Sequence, residues 1–404
     1  MLKIIIKKEL LENLVSYKFI LITIACFMLL GFSNYAMYKN YQKNLEDYNL
    51  SSMQAGNVLI RKPPSVLSIY VNGVQDLLER TFWYQQGMFE PMDINFLNFN
   101  VYRQLFPVLD FAYLVKIVLS FLAMILGFDL LCGEKVRGTL RLMLGNSVSR
   151  NTIILGKILG NYLAFVIPLL VAFLSYFIVL QIMPDVSFSV ADHLRLLLIC
   201  GVSMLYLFIF LLIALTISSL VYSPKSSIIE CFLVWIFMVF LLPNILTLAA
   251  RKFERIPDTQ KIAEAKKWAH EEFKKSEQQH SEGWVRQQTQ EKYRAISMDF
   301  RSKLLTYTRI AKLLNRFSPA GAYLLFTTNL TKYGLDDEHV FRQALFQHVQ
   351  NSEANPGTTV PFKFKEMSLI QSMRNSAFDL FALLFFAVLL YLCAFVAFLK
   401  YDVR

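Results

Sequence analysis

Six long apolar stretches constrain this 404-residue chain more than any other feature of its sequence. Each stretch is long enough to cross a hydrocarbon core about 30 Å thick. A backbone in lipid must satisfy its hydrogen bonds within its own segment, so all six are predicted to be helices. The predicted spans cover residues 17–38, 108–131, 152–182, 194–220, 227–249 and 377–399.

The composition agrees with a membrane protein. Hydrophobic residues make up 55% of the chain and charged residues 18%, whereas soluble domains carry about 25% charged residues. The first span is not interpreted as a cleavable signal peptide, because its apolar run is too long and no small-x-small site precedes the polar segment after Tyr38. The net charge of +11 is attributed in part to membrane topology, and nucleic acid is not predicted as a partner.

Basic residues in the short loops predict the orientation of the chain. With the N-terminus inside, the cytoplasmic segments are 1–18, 132–151, 221–226 and 400–404. These segments carry Lys3, Lys7, Lys8, Lys18, Lys135, Arg137, Arg141, Arg150, Lys225, Lys400 and Arg404. The short loop 183–193, predicted to lie outside, contains Asp185 and Asp192 instead. Both termini are therefore expected to be cytoplasmic.

Three polar segments flank the predicted spans. Residues 1–18, MLKIIIKKELLENLVSYK, mix lysines with apolar residues and predict an interfacial helix in the headgroup plane, or else a basic flank. Residues 39–106 are expected outside as a small mixed α/β domain, in which VLSIYV is a short strand that ends at an Asn72–Gly73 turn. Residues 250–376 are expected outside as a helical domain, with a hairpin turn near 281–283 and helices near 319–331 and 337–350.

Two motifs suggest enzymes and fail on their chemistry. The stretch GEKVRGTLRLML at 133–144 has the glycine spacing of a P-loop, but Gly138 is followed by Thr139 and Leu140 instead of the lysine that would reach the phosphates. His270 and Glu271 would need a second histidine at position 274 to form a zinc-protease helix, and that position is lysine. No catalytic or metal-binding residue is predicted in this chain.

Four ionisable residues in or beside the spans are candidate intramembrane polar sites: Asp110, Lys116, Asp129 and Glu230. Lys116 is expected to extend outward to the interface, with substrate contact as the alternative. Glu230 is expected to reach the inner interface or to pair with a cation such as Lys225. A proton relay would need a second buried carboxylate or histidine, and none is predicted at depth.

The order of these features resembles the permease subunits of type 2 ABC transporters over essentially the whole chain. The most specific motif is GEKVRGTLRLMLGNSVSRNTIILGK at 133–157, and residues 7–19, 62–73 and 318–334 are also similar to the family. The resemblance is to the branch with large extracytoplasmic insertions, which is related to permeases of gliding motility, nitrous-oxide-reductase maturation and sodium or drug export. It implies a bacterial cytoplasmic (inner) membrane location.

The resemblance implies that residues 132–151 form a cytoplasmic coupling element, which docks on a separate soluble ABC ATPase. The residues implied in coupling are Gly133, Glu134, Lys135, Arg137, Gly138, Thr139, Leu140, Arg141 and Arg150, and those of a second contact are Lys7, Lys8 and Glu9. We expect the charged residues to form a polar face and Leu140, Leu142, Met143 and Leu144 to form apolar knobs, with Gly133 and Gly138 allowing tight turns. A solvated basic loop is the alternative. ATP and Mg²⁺ would bind the partner, and no cofactor would bind this chain.

The sequence thus predicts an all-α polytopic membrane protein with six transmembrane helices, an N-terminal interfacial helix and two extracytoplasmic domains. The expected function is that of an ABC export permease, which works as a homodimer or as a heterodimer with a second permease and moves a lipid, peptide, drug or ion outward. The alternative is a subunit that anchors an extracytoplasmic partner or passes ATPase work to it. A secondary transporter is disfavoured because no inverted repeat is present.

Overall fold

The structure is a computed structural model of the chain, and it describes residues 1–53, 59–73, 81–85, 88–91, 109–145, 148–254, 264–265, 267–269, 271–272, 281–354, 362 and 364–399. These residues are mostly helical. The helices are α1 (Leu2–Leu14), α2 (Tyr17–Met53), α3 (111–127), α4 (Cys132–Arg137), α5 (Thr139–Gly145), α6 (Arg150–Ile182), α7 (Val190–Leu220), α8 (Pro224–Phe253), α9 (Glu282–Asn315), α10 (Pro319–Leu330), α11 (Leu335–Ala354) and α12 (Leu369–Leu399).

Six helical segments in the described part of the chain are long and apolar enough to cross a membrane. They are Tyr17–Leu50, Phe111–Arg137, Arg150–Ile182, Val190–Leu220, Pro224–Phe253 and Leu369–Leu399. Each coincides with one of the six stretches predicted from hydropathy, so that prediction is confirmed. Helix α2 continues to Met53, well beyond the predicted end of the first span at residue 38.

Helices α3 and α8 are each interrupted by a π-helical turn. In α3 the turn is Val115–Leu119, between Phe111–Leu114 and Ser120–Gly127, and in α8 it is Phe237–Leu241, between Pro224–Ile236 and Leu242–Phe253. The two irregular regions are adjacent, because Trp235 Nε1 donates a hydrogen bond to Ser120 Oγ at 3.0 Å. The Ser120 hydroxyl in turn donates to the carbonyl of Lys116, within the π-helical turn, at 2.6 Å.

Helix α7 is the most buried of the six candidate spans, and it packs against α3, α10 and α12. Helix α6 packs against α1 and α2. Two groups of elements define the ends of this bundle. The α1 end contains α1, the turn 128–131, α4, α5 and the start of α6, while the far end contains residues 62–73, the start of α7, the loop 331–334 and the start of α12.

Helix α1 packs closely on the first turns of α6. A Cβ atom at Gly156 would lie 2.5 Å from Ile5 Cγ2, and one at Gly160 would lie 2.5 Å from Glu9 Cβ. The two glycines, four residues apart on one face of α6, therefore let the helix axes approach. The opposite face of α1 is exposed at Ile4 and Lys8. This helix is thus attached to a span, and its position in the headgroup plane stays a prediction.

The predicted strand in VLSIYV is wrong. Residues Val66–Ile69 form a 3-10 helix, in which the side chain of Ser65 accepts a hydrogen bond from the backbone N–H of Leu67. Leu67, Ser68, Ile69 and Tyr70 are all buried, so consecutive side chains meet the core and the alternation of a half-buried strand is absent. The predicted turn at Gly73 is present, with φ of +58°.

Three short strands do occur on either side of that segment. Strands β1 (Leu59–Arg61), β2 (Thr81–Gln85) and β3 (Met88–Pro91) form an antiparallel sheet in the order β1-β2-β3. Leu59 pairs with Trp83, and Tyr84 pairs with Phe89. Much of 39–106 lies outside the described residues, so the small mixed domain stays a prediction.

The second large polar segment returns into the bundle. Helices α10 and α11 correspond to the predicted helices near 319–331 and 337–350, whereas α9 begins at Glu282, within the predicted hairpin turn, and most of 255–280 lies outside the described residues. Helix α10 is almost fully buried between α7 and α12. Tyr323 stacks on Tyr206 of α7 with ring centroids 4.5 Å apart, so α10 extends well down along a candidate span.

Buried charges join the segments of the far end. The Lys62 ammonium donates to the carbonyl of Lys332 at 2.9 Å and lies 5.0 Å from the centre of the Tyr333 ring. Arg195 of α7 donates to the carbonyls of Leu330 at 2.6 Å and of Met367 at 2.8 Å. Burial lowers the pKa of the Lys62 ammonium, an effect that nearby carboxylates oppose. Loops that are distant in sequence are thus held against the bundle by two cations.

We predict that Asp337 makes the stability of the chain depend on pH. Burial raises the pKa of this carboxyl from 3.8 to about 6, although the positive charges of Lys62 and Arg195 favour its ionised form. The folded chain therefore binds a proton more tightly than the unfolded chain, and this contribution to stability is lost as pH rises from about 4 to about 6. Thermal unfolding of the detergent-solubilised protein should show this loss.

The Asp337→Asn variant should unfold at a higher temperature than the wild type at pH 7.5 and should lack the step between pH 4 and 6. Glu338→Gln is the matched control, since Glu338 is adjacent and pairs with Arg342 at 2.7 Å within the same helix. It should retain the step. An unchanged pH profile for Asp337→Asn would contradict the prediction.

We also predict that Gly160→Ala weakens the packing of α1 on α6. The added methyl group would overlap Glu9 Cβ, and overpacking of this kind costs about 1–3 kcal/mol. Gly201→Ala in α7 is the control, because no described atom outside that helix's own backbone lies within 4 Å of the position its added methyl group would take. For Gly160→Ala, the thermal unfolding temperature should fall and protease cleavage within α1 should become faster. Neither should change for the control.

Candidate functional site

The α4–α5 element follows α3 through a turn at residues 128–131. Gly138 separates the two short helices with a left-handed backbone, φ of +74°, and its N–H donates to the carbonyl of Lys135 at 3.2 Å. Gly138 is thus the helix-ending glycine that the sequence suggested. Gly133 is not a turn residue, because it lies inside α4 and is buried. The chain turns before Gly133, at the bulky residues of FDLL.

The start of α4 is attached to the end of α7. Ser218 Oγ accepts hydrogen bonds from the backbone N–H groups of Leu131 at 3.0 Å and Cys132 at 3.1 Å. The ammonium of Lys135 contacts the last carbonyls of α7 and donates to Val221 O at 3.2 Å and to Ser219 O. A cation is favourable at this position because the last carbonyls of a helix carry partial negative charge. Lys135 therefore helps to attach the element to the bundle.

Glu134 does not lie on an exposed polar face, as the sequence led us to expect. Its side chain is 6% exposed, and its Oε1 lies 2.7 Å from Nζ of Lys157, a lysine of α6 that is 1% exposed. The same Lys157 ammonium lies 2.8 Å from Oε1 of Glu9, which is 4% exposed. One buried cation thus bridges two carboxylates from two different helices. We call these three residues the Lys157 triad.

Two amide side chains complete the polar contacts around Glu9. Asn161 Nδ2 donates to Glu9 Oε2 at 3.1 Å, and Asn13 Nδ2 donates to Asn161 Oδ1 at 2.7 Å. Glu9 therefore packs against α6 and is not accessible to a partner protein in this arrangement, in contrast to its neighbours Lys7 and Lys8, which are exposed. Of the three residues expected in a second contact, the two lysines face outward.

The exposed face of the α4–α5 element is small and mixed in character. Val136 and Leu142 are 66% and 72% exposed, and Arg137, Thr139 and Arg141 lie beside them at its surface. The expected apolar knobs at Leu140, Met143 and Leu144 are wrong, because Leu140 is fully buried and the other two pack partly against the same core cluster. These three side chains hold the element against α6 and α7, and Leu142 alone of the four projects outward.

Arg150 begins α6 close to the end of α12. Its Nη1 donates to the carbonyl of Leu399 at 2.7 Å, and its neighbour Ser149 caps α6 by accepting from the N–H of Thr152 at 3.3 Å. The described structure thus gives Arg150 a contact at the end of the last span. Its expected role in ATPase coupling stays a prediction.

The four candidate intramembrane residues have different surroundings. Asp110 caps α3 by accepting from Tyr113 N at 2.7 Å and also accepts from Asn72 N at 2.8 Å, so it is a structural cap. Asp129 pairs with Lys18 at 2.7 Å. Lys116 is half-buried, with its ammonium 5.9 Å from the centre of the Tyr113 ring. Glu230 is exposed on α8, and its expected pairing with Lys225 is not seen among the described contacts.

A protein-family model described as ABC-2 family transporter protein matches residues 3–403. The chain belongs to this family. An ABC-2 permease is a membrane component of an ABC complex and is generally non-catalytic, so the partner of this chain is an ABC ATPase. Together with the six apolar helices, the match makes the chain a multi-pass membrane protein. No curated protein matches the chain. The branch of the family stays a prediction.

Several polar residues of this ABC-2 permease were missed in the sequence. Lys157 and Asn161 lie four residues apart near the start of a predicted span, and Asp379 lies near the start of the last span, where its Oδ1 accepts from Arg316 Nε at 2.6 Å. These residues could have been identified in the sequence as polar or charged residues inside apolar runs. The partners could not be assigned, because Glu9 and Lys157 are 148 residues apart.

We predict that Ser218→Ala loosens the α4–α5 element of the ABC-2 permease. The change removes the acceptor of two buried backbone N–H groups, and an unsatisfied buried donor costs about 1–3 kcal/mol. Ser219→Ala is the control, because its hydroxyl bonds only locally, to Thr216 O at 2.6 Å, among the described contacts. The thermal unfolding temperature should fall for Ser218→Ala and change little for Ser219→Ala, and equal effects would contradict the assigned role.

Proposed function

We propose that this chain is the permease subunit of an ATP-driven exporter, in which α4–α5 docks on a separate ABC ATPase and transmits its movement to the spans. ATP and Mg²⁺ would bind the ATPase. The cargo would be a lipid, peptide, drug or ion that leaves the cytoplasm or the inner leaflet. The α1 end would face the cytoplasm of a bacterial cell, with both termini inside, and two permeases, identical or related, would enclose the path.

The observation that supports this proposal most directly is the construction of the α4–α5 element. It projects two apolar side chains, Val136 and Leu142, beside arginines, while its base is fixed to α7 through Ser218 and to α6 through Lys157. A solvated loop would not need buried ionic attachment at its base. A rigid projection on two spans is suited to receive force from a protein that changes shape with its nucleotide state.

The charges exposed at the α1 end favour a partner surface that is acidic around an apolar cleft. Cations predominate among the exposed charged side chains there and on the adjoining start of α8: Lys3, Lys7, Lys8, Arg137, Arg141 and Lys225, against Glu12 and Glu230. Ile4 and Leu11 add exposed apolar area on α1. Complementary charge would speed encounter and fix the register of docking, while the apolar side chains would provide affinity.

We predict that Leu142→Asp, alone or with Val136→Asp, reduces recovery of the ABC ATPase at least tenfold when the two proteins are co-expressed and the permease is purified. A carboxylate at either position would be costly to remove from water on docking. It would also be repelled by the expected acidic surface of the partner. The ABC ATPase that co-purifies with the wild-type permease is the protein to test. Charge reversal of the buried Glu134 is unsuitable, because it would place a second cation next to Lys157.

Val190→Asp is the matched control, since Val190 is also highly exposed, at 80%, but begins α7 at the far end. This variant should retain the ATPase. Undiminished recovery with Leu142→Asp, from a permease that elutes as the wild type does in gel filtration, would refute α4–α5 as the docking element.

A second candidate function is the transmission of ATPase work to a machine on the far side without transport. It is favoured by α9, which leads directly into Arg316, the residue that pairs with Asp379 of α12. Thr247 of α8 also accepts from Asn315 at 3.0 Å, so the end of α9 is fixed to two spans. Stimulation of ATP hydrolysis by candidate cargos in the reconstituted complex would favour export. Nucleotide-dependent movement of α9 without any such stimulation would favour transmission.

A further inference from the structure

Lys157 links α6 by charge to two other helices. Its ammonium contacts Glu9 of α1 and Glu134 of α4, and its own backbone is part of α6. Helix α1 is already fixed to α6 by close packing at Gly156 and Gly160. The element α4–α5 instead meets α6 through apolar side chains such as Leu140 and through the ion pair. Apolar contacts tolerate sliding, whereas an ion pair fixes two atoms at one distance.

We infer that Lys157 is the positioning residue through which displacement of α4–α5 reaches α6 and α1. This inference rests on the proposed function, because it assigns the displacement to a partner ATPase. It assigns a role to a residue outside the coupling element itself. In this arrangement, α6 is coupled to the element by charge, and α7 is coupled to it by the hydrogen bonds of Ser218.

The two carboxylates of the Lys157 triad are held unequally. Glu9 uses both oxygens, one with Lys157 at 2.8 Å and one with Asn161 at 3.1 Å. Glu134 uses Oε1 for Lys157 at 2.7 Å, with Lys8 farther away at 3.8 Å, and its Oε2 receives no hydrogen bond from the described residues. The Glu134 contact is therefore the weaker half, and it is the half that changes when α4 moves.

Glu9 lowers the energetic cost of such a change. Removing the single counterion of a buried lysine strongly destabilises a protein, because it leaves an uncompensated buried charge. Lys157 keeps Glu9 as a partner when Glu134 moves away, so α4 can shift without leaving an unpaired buried cation. Glu134 would meanwhile turn toward Lys8, which is half-exposed and already lies 3.8 Å from Glu134 Oε1. The triad thus combines a fixed pair with a separable one.

The test uses variants that keep buried charges balanced. Glu134→Gln neutralises the separable half and leaves the pair between Lys157 and Glu9 intact. The combined variant Glu9→Gln, Glu134→Gln, Lys157→Met removes the whole triad without an orphaned charge, a change that is often neutral for stability. Lys157→Arg keeps a cation between the two carboxylates and serves as the conservative variant. Glu12→Gln, on the exposed side of α1, is the control.

The measurement is hydrogen exchange of the full permease–ATPase complex in nanodiscs, without nucleotide and after trapping with ATP and vanadate. In the wild type, peptides from 132–145, 150–163 and 1–14 should all change on trapping. In Glu134→Gln and in the neutral combined variant, the change in 132–145 should remain, while the changes in 150–163 and 1–14 should fall at least fivefold. Lys157→Arg and Glu12→Gln should respond as the wild type does.

Responses in 150–163 and 1–14 that match the wild type in Glu134→Gln would overturn the role of Lys157 and leave the proposed function intact. The proposed function would instead be overturned if the wild-type complex does not assemble. It would also be overturned if hydrogen exchange in the 132–145 peptides does not change on trapping. Loss of response in every peptide of Glu134→Gln, with the ATPase still bound, would also count against the inference. If the neutral combined variant does not fold, Glu134→Gln alone decides the question.

Discussion

The need to pair a buried cation organises the α1 end of this protein. Lys157 lies inside the bundle, where an isolated ammonium would cost several kcal/mol, and two carboxylates from separate helices offset that cost. Because those carboxylates belong to α1 and α4, satisfying one lysine fixes both helices against α6. The glycines at 156 and 160 allow the approach that puts Glu9 within reach. The position of the exposed face at Val136 and Leu142 follows from this arrangement.

At the far end, buried cations are also paired, but with different partners. Arg195 is satisfied largely by carbonyl groups at 330 and 367, and Arg316 is satisfied by Asp379, so loops that enclose the bundle are attached to α7 and α12. Helix α10 fills the space between these two spans, and its Tyr323 stacks on Tyr206 of α7. The bundle is therefore tied at both ends by buried charges, while its middle is held by apolar packing and by hydrogen bonds such as the one between Trp235 and Ser120.

The sequence predicted whatever depends on local pattern. Six spans followed from apolar length, the turn at Gly138 from the conformational freedom of glycine, and the helices α10 and α11 from their spacing. It did not predict which face of α4 is buried, since nothing near Glu134 in the sequence indicates that Lys157 lies opposite. The strand expected at 66–71 was wrong because β-branched and aromatic residues are also common where a segment is buried on every side. Contacts between distant residues decided each of these cases.

The π-helical turns at 115–119 and 237–241 have a consequence for how the length of this chain can vary. A π turn accommodates one residue more than an α-helix needs over the same rise. Removing one residue there would restore regular winding and leave the following half of the helix facing as it does now, whereas a deletion elsewhere would rotate it by about 100°. Single-residue gaps between homologous sequences should therefore collect at these two sites, beside Ser120 and Trp235.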